Sequence, residues 1–152
     1  VRSYSDETRA RLLSGIRRVA EGEAVVAGLP EALKPVVTVR EPYTRSTYNT
    51  PDFTQRMIGF LRGHFGEGRV RETAASMGGE DFGEFGRADR ENIRSMIFWV
   101  GGASPEAIEK ARREGGVVPD THSPFFAPEA DKVIGTAAEA LTLMALRLMP
   151  PK

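Results

Sequence analysis

The chain has 152 residues, a mass of 16.6 kDa, and 21 Lys plus Arg against 21 Asp plus Glu, so its formal net charge is zero. This balance, without a dense basic run, argues against nucleic acid or an anionic membrane as the main partner. The absence of cysteine excludes disulfides and thiolate chemistry, and no apolar run approaches the roughly 20 residues of a membrane-spanning helix. We therefore expect a cytoplasmic protein with no membrane partner; a secreted protein whose leader has been removed stays open.

The first part of the chain, 1–47, predicts a strand, a helix and a second strand. After a short extended start, Ser5 is a good N-cap, and Asp6 and Glu7 fall in the first turn, where the helix dipole favours acids. Apolar residues then recur at spacings typical of an amphipathic helix: Leu12, Leu13, Ile16, Val19, Ala20 and Ala24. Gly28 and Pro30 end this helix, and the β-branched stretch "PVVTVREPY" at 35–43 predicts the second strand.

A second helix and a third strand follow a polar connector. Thr50 and Pro51 have the pattern of an N-cap and first helical residue. The apolar face of this helix is formed by Phe53, Met57, Phe60 and Leu61, and glycines at 66 and 68 close it. The stretch "RVRETAA" at 69–75 predicts the next strand.

The rest of the chain also alternates between predicted helices and predicted strands. The glycine-rich stretch 77–87 predicts a short helical turn around 80–85, and the apolar run "SMIFWVGG" at 95–102 predicts a buried strand. Ser104 and Pro105 begin a charged helix that stops at Gly115, and a final helix runs over 131–149. One stripe of that last helix holds Ile134, Ala138, Leu141, Ala145 and Leu148. The sequence therefore predicts an α/β fold with few strands for a complete sheet.

His122 is the first candidate functional residue. It lies in "PDTHSPFFAPE" at 119–129, where Pro119 and Pro124 restrict the backbone on both sides. A neutral imidazole in a stiff loop suits a metal ligand or a general acid–base group. The ordinary alternative is a surface histidine, because a catalytic zinc site needs about three protein ligands and no second ligand motif is present.

The stretch "GGED" is the second candidate. Gly78 and Gly79 would let backbone N–H groups approach a ligand, and the carboxylates of Glu80 and Asp81 would orient it. The alternative is a tight turn that enters a helix, with the two acids complementing the helix dipole. The glycines match neither a dinucleotide fingerprint nor a P-loop, so nucleotide binding has little support.

Three stretches in order, "TYNTPDF", "SMGGEDFGEFG" and "THSPFFAPEAD", resemble the C-terminal end of the metal-dependent amidohydrolases of the aminoacylase and hippurate hydrolase family, which includes the auxin-conjugate hydrolases. The opening 1–47 resembles the second half of that family's inserted lid, or dimerisation, domain, and 48–152 the C-terminal part of its α/β metallopeptidase-like catalytic domain. Asn49 falls at a recurring asparagine of the family. The resemblance covers essentially the whole chain.

The resemblance implies hydrolysis of the amide bond of N-acyl amino acids or small peptides with divalent metal ions (Zn, Mn, Ni or Co). It makes His122 a metal ligand, and it makes Gly78, Gly79, Glu80 and Asp81 part of the substrate cleft. Gly79 replaces the family's common serine, so a contribution from that hydroxyl is in doubt. The resemblance also implies a homo-oligomer formed through the lid.

The family's other metal ligands, its glutamate base and its lid histidine have no counterparts in these residues. We therefore expect this segment alone to be inactive. Three hypotheses follow: the C-terminal segment of a complete amidohydrolase, a short non-catalytic dimerisation or binding module, or one half of a two-part enzyme. The apolar "WVGG" run and the His122 loop favour the first, because they are typical of a sheet whose other strands are absent. The start at Val1 in mid-pattern agrees with this hypothesis, although removal of a tag or trimming of a disordered start would give the same first residue.

Overall fold

The computed structural model describes residues 1–78 and 80–150, and the regular elements in that part of the chain are all helical. They are α1 (Asp6–Val26), α2 (Pro51–Phe65), α3 (Gly83–Ala88), α4 (Pro105–Glu114) and α5 (Ala130–Leu148), with a 3-10 turn at Glu31–Leu33. The chain divides into two compact units, Val1–Ile97 and Phe98–Lys152. This division differs from the predicted domains 1–47 and 48–152, which refer to a complete enzyme and stay a prediction.

Helix α1 begins as its sequence predicts. The Ser5 hydroxyl accepts a hydrogen bond from Thr8 N at 3.1 Å, which satisfies one of the backbone donors that a helix start leaves unpaired. The helix ends at Val26, and Gly28 follows with φ +66°, a left-handed conformation that glycine adopts without strain. Only Ala24 of α1 is buried, so most of this helix faces solvent.

Helix α2 supplies the core of the first unit. Pro51 is its first residue, and Phe53, Met57 and Leu61 are buried at helical spacing. Thr50 occupies the predicted N-cap position, but its hydroxyl accepts from Ser95 N at 3.2 Å instead of from its own helix. The start of α2 is thereby tied to a residue far along the chain.

The second unit contains α4 and α5. As predicted, α4 begins after Ser104, which caps it through Ala107 N at 3.1 Å, and stops at the glycines 115–116. Gly115 has the left-handed conformation. Helix α5 buries Ala140 and Met144. The predicted stripe of α5 is a different face, since Ile134, Leu141 and Leu148 are exposed.

The α/β fold class predicted from the sequence is wrong. The described residues contain no strand and no sheet, so the lid over 1–47 is not strand–helix–strand, and 69–75 and 95–102 are not strands. Of the predicted lid only the helix, α1, is formed. The α/β catalytic part predicted for 48–152 is likewise replaced by α2 to α5 with non-helical connections.

The physical reason is that a β-branched sequence favours extended backbone, whereas a strand also needs a neighbour that pairs with its N–H and C=O groups. The segments 48–50 and 95–97 do lie side by side, and Thr50 N donates to Ser95 O at 2.8 Å. The other described bonds between them use side chains of Asn49, Thr50 and Ser95. Hydrogen bonds from side chains therefore replace most of the backbone hydrogen bonds that a sheet would form between these two segments.

Apolar burial is limited in the part of the chain that the structure describes. The buried apolar side chains are Ala24, Phe53, Met57, Leu61, Ala140 and Met144. Large apolar side chains such as Val36, Trp99 and Phe125 are mostly exposed. Within the described residues, no helix has the length and apolar character needed to cross a bilayer.

Candidate functional site

The loop around His122 is a turn closed by its own residues. The Asp120 carboxylate accepts from His122 N at 3.0 Å, and Asp120 O accepts from Ser123 N at 3.0 Å. Ser123 then accepts from Phe125 N through its hydroxyl at 3.2 Å and from Phe126 N through its carbonyl at 3.1 Å. Aspartate and serine side chains commonly close turns in this way. The result is an exposed imidazole on a backbone fixed by short-range bonds.

The exit from this loop is held against the double glycine at 101–102. Glu129 N donates to Gly102 O at 2.9 Å. A Cβ atom at Gly102 would lie 3.0 Å from Pro128 Cβ, so the close approach favours glycine here. The sequence predicts Gly102 as the end of a strand. In the structure, its lack of a side chain leaves room for the segment that leads from the His122 loop into α5.

The segment 78–81 lies in the first unit, whereas His122 lies in the second. Gly78 N donates to Ser76 Oγ at 3.1 Å. The half-buried Glu80 accepts from Thr47 Oγ1 at 2.7 Å and from Phe82 N at 3.1 Å, so both carboxylate oxygens anchor the entry to α3. Asp81 is exposed, and its carbonyl accepts from Glu84 N at 3.0 Å. The predicted contribution of Gly79 falls outside the described residues.

Helix α3 packs by its backbone, a feature that the sequence analysis missed. Gly83 and Gly86 are both buried. A Cβ at Gly83 would lie 2.7 Å from Thr47 Oγ1 and 2.8 Å from Thr47 Cα, and one at Gly86 would overlap Ser95 Oγ. The available signal was the spacing of three in "FGEFGR", which puts two small residues on one helical face.

Arg87 connects α3 to the start of α1. Its guanidinium donates to Asp6 Oδ2 at 2.9 Å and to Ser46 O and Oγ at 2.9 Å and 3.0 Å. Its side chain is only 11% exposed, so these bonds form largely out of water. Planar guanidinium donors suit this combination of one carboxylate and one carbonyl.

The side-chain amide of Asn49 makes the two hydrogen bonds to Ile97 that the backbone of a neighbouring strand would otherwise make. Its Nδ2 donates to Ile97 O at 2.9 Å, and its Oδ1 accepts from Ile97 N at 2.8 Å. Buried Ser95 donates its hydroxyl to Tyr48 O at 3.2 Å. We call 46–50, 83–87 and 95–97 together the α3 joint, because side-chain bonds and glycine contacts hold the three segments together.

Three exposed groups, Asp89, Glu106 and Lys132, have pKa values shifted by their neighbours. The side-chain amide of Asn92, followed by backbone N–H groups, holds the pKa of Asp89 below its ordinary value. The pKa of Glu106 is lowered by its own backbone N–H and by Ser104, and the pKa of Lys132 is raised by its hydrogen bond to Glu129. All three groups are exposed, and the largest cause of each shift is a hydrogen bond to a group within three positions in sequence, so local capping and ion pairing dominate.

No group of three or more His, Cys, Asp or Glu that could hold a metal ion occurs among residues 1–78 and 80–150. His64, the other histidine, lies in α2 with its ring edge-on to Phe65 at 4.8 Å. The described residues therefore offer one candidate metal ligand, His122, and they do not fit a complete metal site. Comparisons with protein-family models, curated proteins and solved structures find no match to this chain.

Proposed function

We propose that this chain is the C-terminal segment of a metal-dependent amidohydrolase that acts on N-acyl amino acids or small peptides and is inactive as a separate segment. The observation that supports this most is the His122 turn. An exposed imidazole stands on backbone fixed by Asp120 and Ser123, in the "HSP" context whose resemblance to the family makes it a ligand. A metal site benefits from a ligand held in place before the metal arrives.

In this proposal His122 contributes one ligand to a divalent metal ion such as Zn, Mn, Ni or Co. Because residues 1–78 and 80–150 do not supply the remaining ligands, these ligands come from another part of the enzyme. The residues proposed to bind the substrate are Gly78, Gly79, Glu80 and Asp81. Of these, Glu80 is held in place by its bonds to Thr47 and Phe82 N. The proposal includes a cytoplasmic location and a homo-oligomer formed through the part called the lid, 1–47.

The test is hydrolysis of N-acetyl and N-benzoyl amino acids by protein from its natural source, with the intact mass measured under denaturing conditions on the same preparation. We expect a mass well above 16.6 kDa and release of the amino acid that depends on added divalent metal. His122→Ala in the complete protein should abolish that release, because one of about three metal ligands is lost.

The matched control is His64→Ala, which removes the other histidine from α2 and should leave hydrolysis within about twofold. Equal losses in the two variants would mean that His122 is not a ligand. A complete, metal-loaded protein with no hydrolysis of either substrate would contradict the amidohydrolase proposal.

A second candidate is a non-catalytic dimerisation or binding module derived from the same family. The extensive solvent exposure of α1 favours it, since a helix that buries only Ala24 has a face free for another molecule. An intact mass near 16.6 kDa together with a folded, self-associating and inactive protein would support this candidate over the first.

A further inference from the structure

The residues before α1 lie beside the segment that leads into 78–81. The hydroxyl of Tyr4 donates to Ala75 O at 3.1 Å, and the guanidinium of Arg2 donates to Met77 O. The earlier donor contacts the later carbonyl, so the two segments run in opposite directions. In both segments the contacting positions are two apart, the spacing at which residues of an extended chain lie on the same side. The start of the chain therefore holds two alternate carbonyls just ahead of 78–81.

The segment 78–81 is also held through Glu80 from the same part of the chain. The hydroxyl of Thr47 donates to Glu80 Oε1 at 2.7 Å. Thr47 belongs to 1–47, as do Arg2 and Tyr4. Side chains of 1–47 therefore make hydrogen bonds both ahead of the segment 78–81 and within it.

The contact at Ala75 and Met77 continues into the candidate segment through Ser76. This residue lies between the two held carbonyls, and its hydroxyl accepts from Gly78 N at 3.1 Å. Glycine populates more backbone conformations than other residues, so a segment that begins with Gly78 depends on its neighbours for a fixed geometry. Holding residues 75 and 77 supplies that constraint.

We propose that Arg2 and Tyr4 are positioning residues for the segment 78–81. Their side chains hold the carbonyls of Met77 and Ala75 and so set the direction in which the backbone enters the substrate cleft. The proposal rests on the proposed function, in which 78–81 binds the substrate, and it adds two residues that act on the substrate only through that segment. A binding site needs such support from groups that fix its geometry.

The exposure of the two donors determines where their effect should be seen. Tyr4 is 55% exposed and Arg2 is also exposed, so each bond adds little to the stability of the whole protein. Loss of one bond should instead release the segment locally, because an exposed connection opens without global unfolding. The test therefore measures the segment itself and the binding of substrate.

The experiment compares Tyr4→Phe with Tyr48→Phe in the complete protein. Both variants lose one phenol hydroxyl from a similarly exposed ring, 55% and 59%, but Tyr48 enters the described hydrogen bonds through its carbonyl. The first measurement is hydrogen exchange, by mass spectrometry, of the peptide that contains Gly78. We expect exchange at least about threefold faster in Tyr4→Phe and a change below about twofold in Tyr48→Phe. Equal exchange in Tyr4→Phe and wild type would overturn the proposal.

The second measurement is the hydrolysis of N-acetyl and N-benzoyl amino acids by the same variants. We expect Tyr4→Phe to raise KM about two- to fivefold with kcat within about twofold, because substrate binding is weakened and the metal site is untouched. Arg2→Met should act in the same direction. Arg2→Lys should restore most of the loss, because a single carbonyl needs one donor and not a planar fork. A fall in kcat with KM unchanged, or no recovery in Arg2→Lys, would overturn the positioning role.

The two measurements separate this proposal from the proposed function. Faster exchange in Tyr4→Phe, in a complete, metal-loaded protein that hydrolyses neither substrate, would contradict the amidohydrolase and support the contact of Tyr4 with the segment. An active hydrolase whose exchange at Gly78 and whose KM ignore both Tyr4→Phe and Arg2→Met would keep the proposed function and overturn the positioning role.

Discussion

The α3 joint in the first unit and the His122 loop in the second are both closed by side-chain hydrogen bonds, but over very different sequence distances. In the joint and its link to α1, Asn49 binds Ile97 across 48 positions and Arg87 binds Asp6 across 81. In the loop, Asp120 and Ser123 each accept from residues two positions away. The side-chain bonds of the loop depend only on residues near in sequence, whereas those of the joint form only when the first unit is folded.

Gly83→Ala should break the joint most strongly. The new Cβ would meet Thr47 Cα at 2.8 Å, and backbone cannot move aside as a flexible side chain can. We expect a loss of about 1–3 kcal/mol in the free energy of unfolding, the usual cost of overpacking, measured by urea denaturation followed by circular dichroism.

The matched control is Gly63→Ala in α2, where a Cβ would meet nothing within 4 Å. Alanine favours a helix interior over glycine, so this variant should gain up to about 1 kcal/mol. If Gly83→Ala is as stable as wild type, α3 does not pack through its backbone as described.

Arg87→Lys tests whether the joint needs a guanidinium or only a positive charge. Lysine cannot reproduce the fork that donates to Asp6 and Ser46 together, so we expect a loss of about 1–2 kcal/mol in the same measurement. The control Arg112→Lys changes a side chain that is 75% exposed. Its free energy of unfolding should stay within about 0.5 kcal/mol of the wild-type value. Equal stabilities would show that the charge alone suffices at position 87.

This comparison also explains which parts of the structure the sequence could predict. Helices α1, α2 and α4 were predicted near their observed bounds, since Ser5, Pro51 and Ser104 act on the residues next to them. The strands were wrong because a ladder depends on a distant partner segment. The prolines beside His122 made it a candidate ligand, which stays a prediction. The contacts of Arg87 could not be predicted, because residues 41 and 81 positions away form them.

Asp120→Ala should have a smaller and local effect. It removes the acceptor of His122 N, so amide hydrogen exchange at His122 should become faster while exchange at Ile97 in the joint is unchanged. We expect the free energy of global unfolding to fall by no more than about 1 kcal/mol. A slower or unchanged exchange rate at His122 would show that the loop is held by something other than Asp120.

The smallest expected effect concerns Asp89, just after α3. Its pKa is lowered from the ordinary 3.8 by Asn92, so the folded state gains stability above that pH and loses it as the pH falls through the lowered value. Asn92→Ala should raise the pKa of Asp89 toward 3.8, measured by NMR titration of its carboxyl carbon. An unchanged titration would mean that the Asn92 amide does not set this pKa.

Ser95 shows how one small side chain restricts the sequences that this unit can accept. Its hydroxyl donates to Tyr48 O, and the space beside it is so narrow that Gly86 cannot accept a Cβ. Alanine at position 95 would fit but would leave the Tyr48 carbonyl without that donor. Positions 86 and 95 therefore constrain each other, because a side chain at position 86 needs the space of the Ser95 hydroxyl, and removing that hydroxyl also removes the hydrogen bond to Tyr48 O.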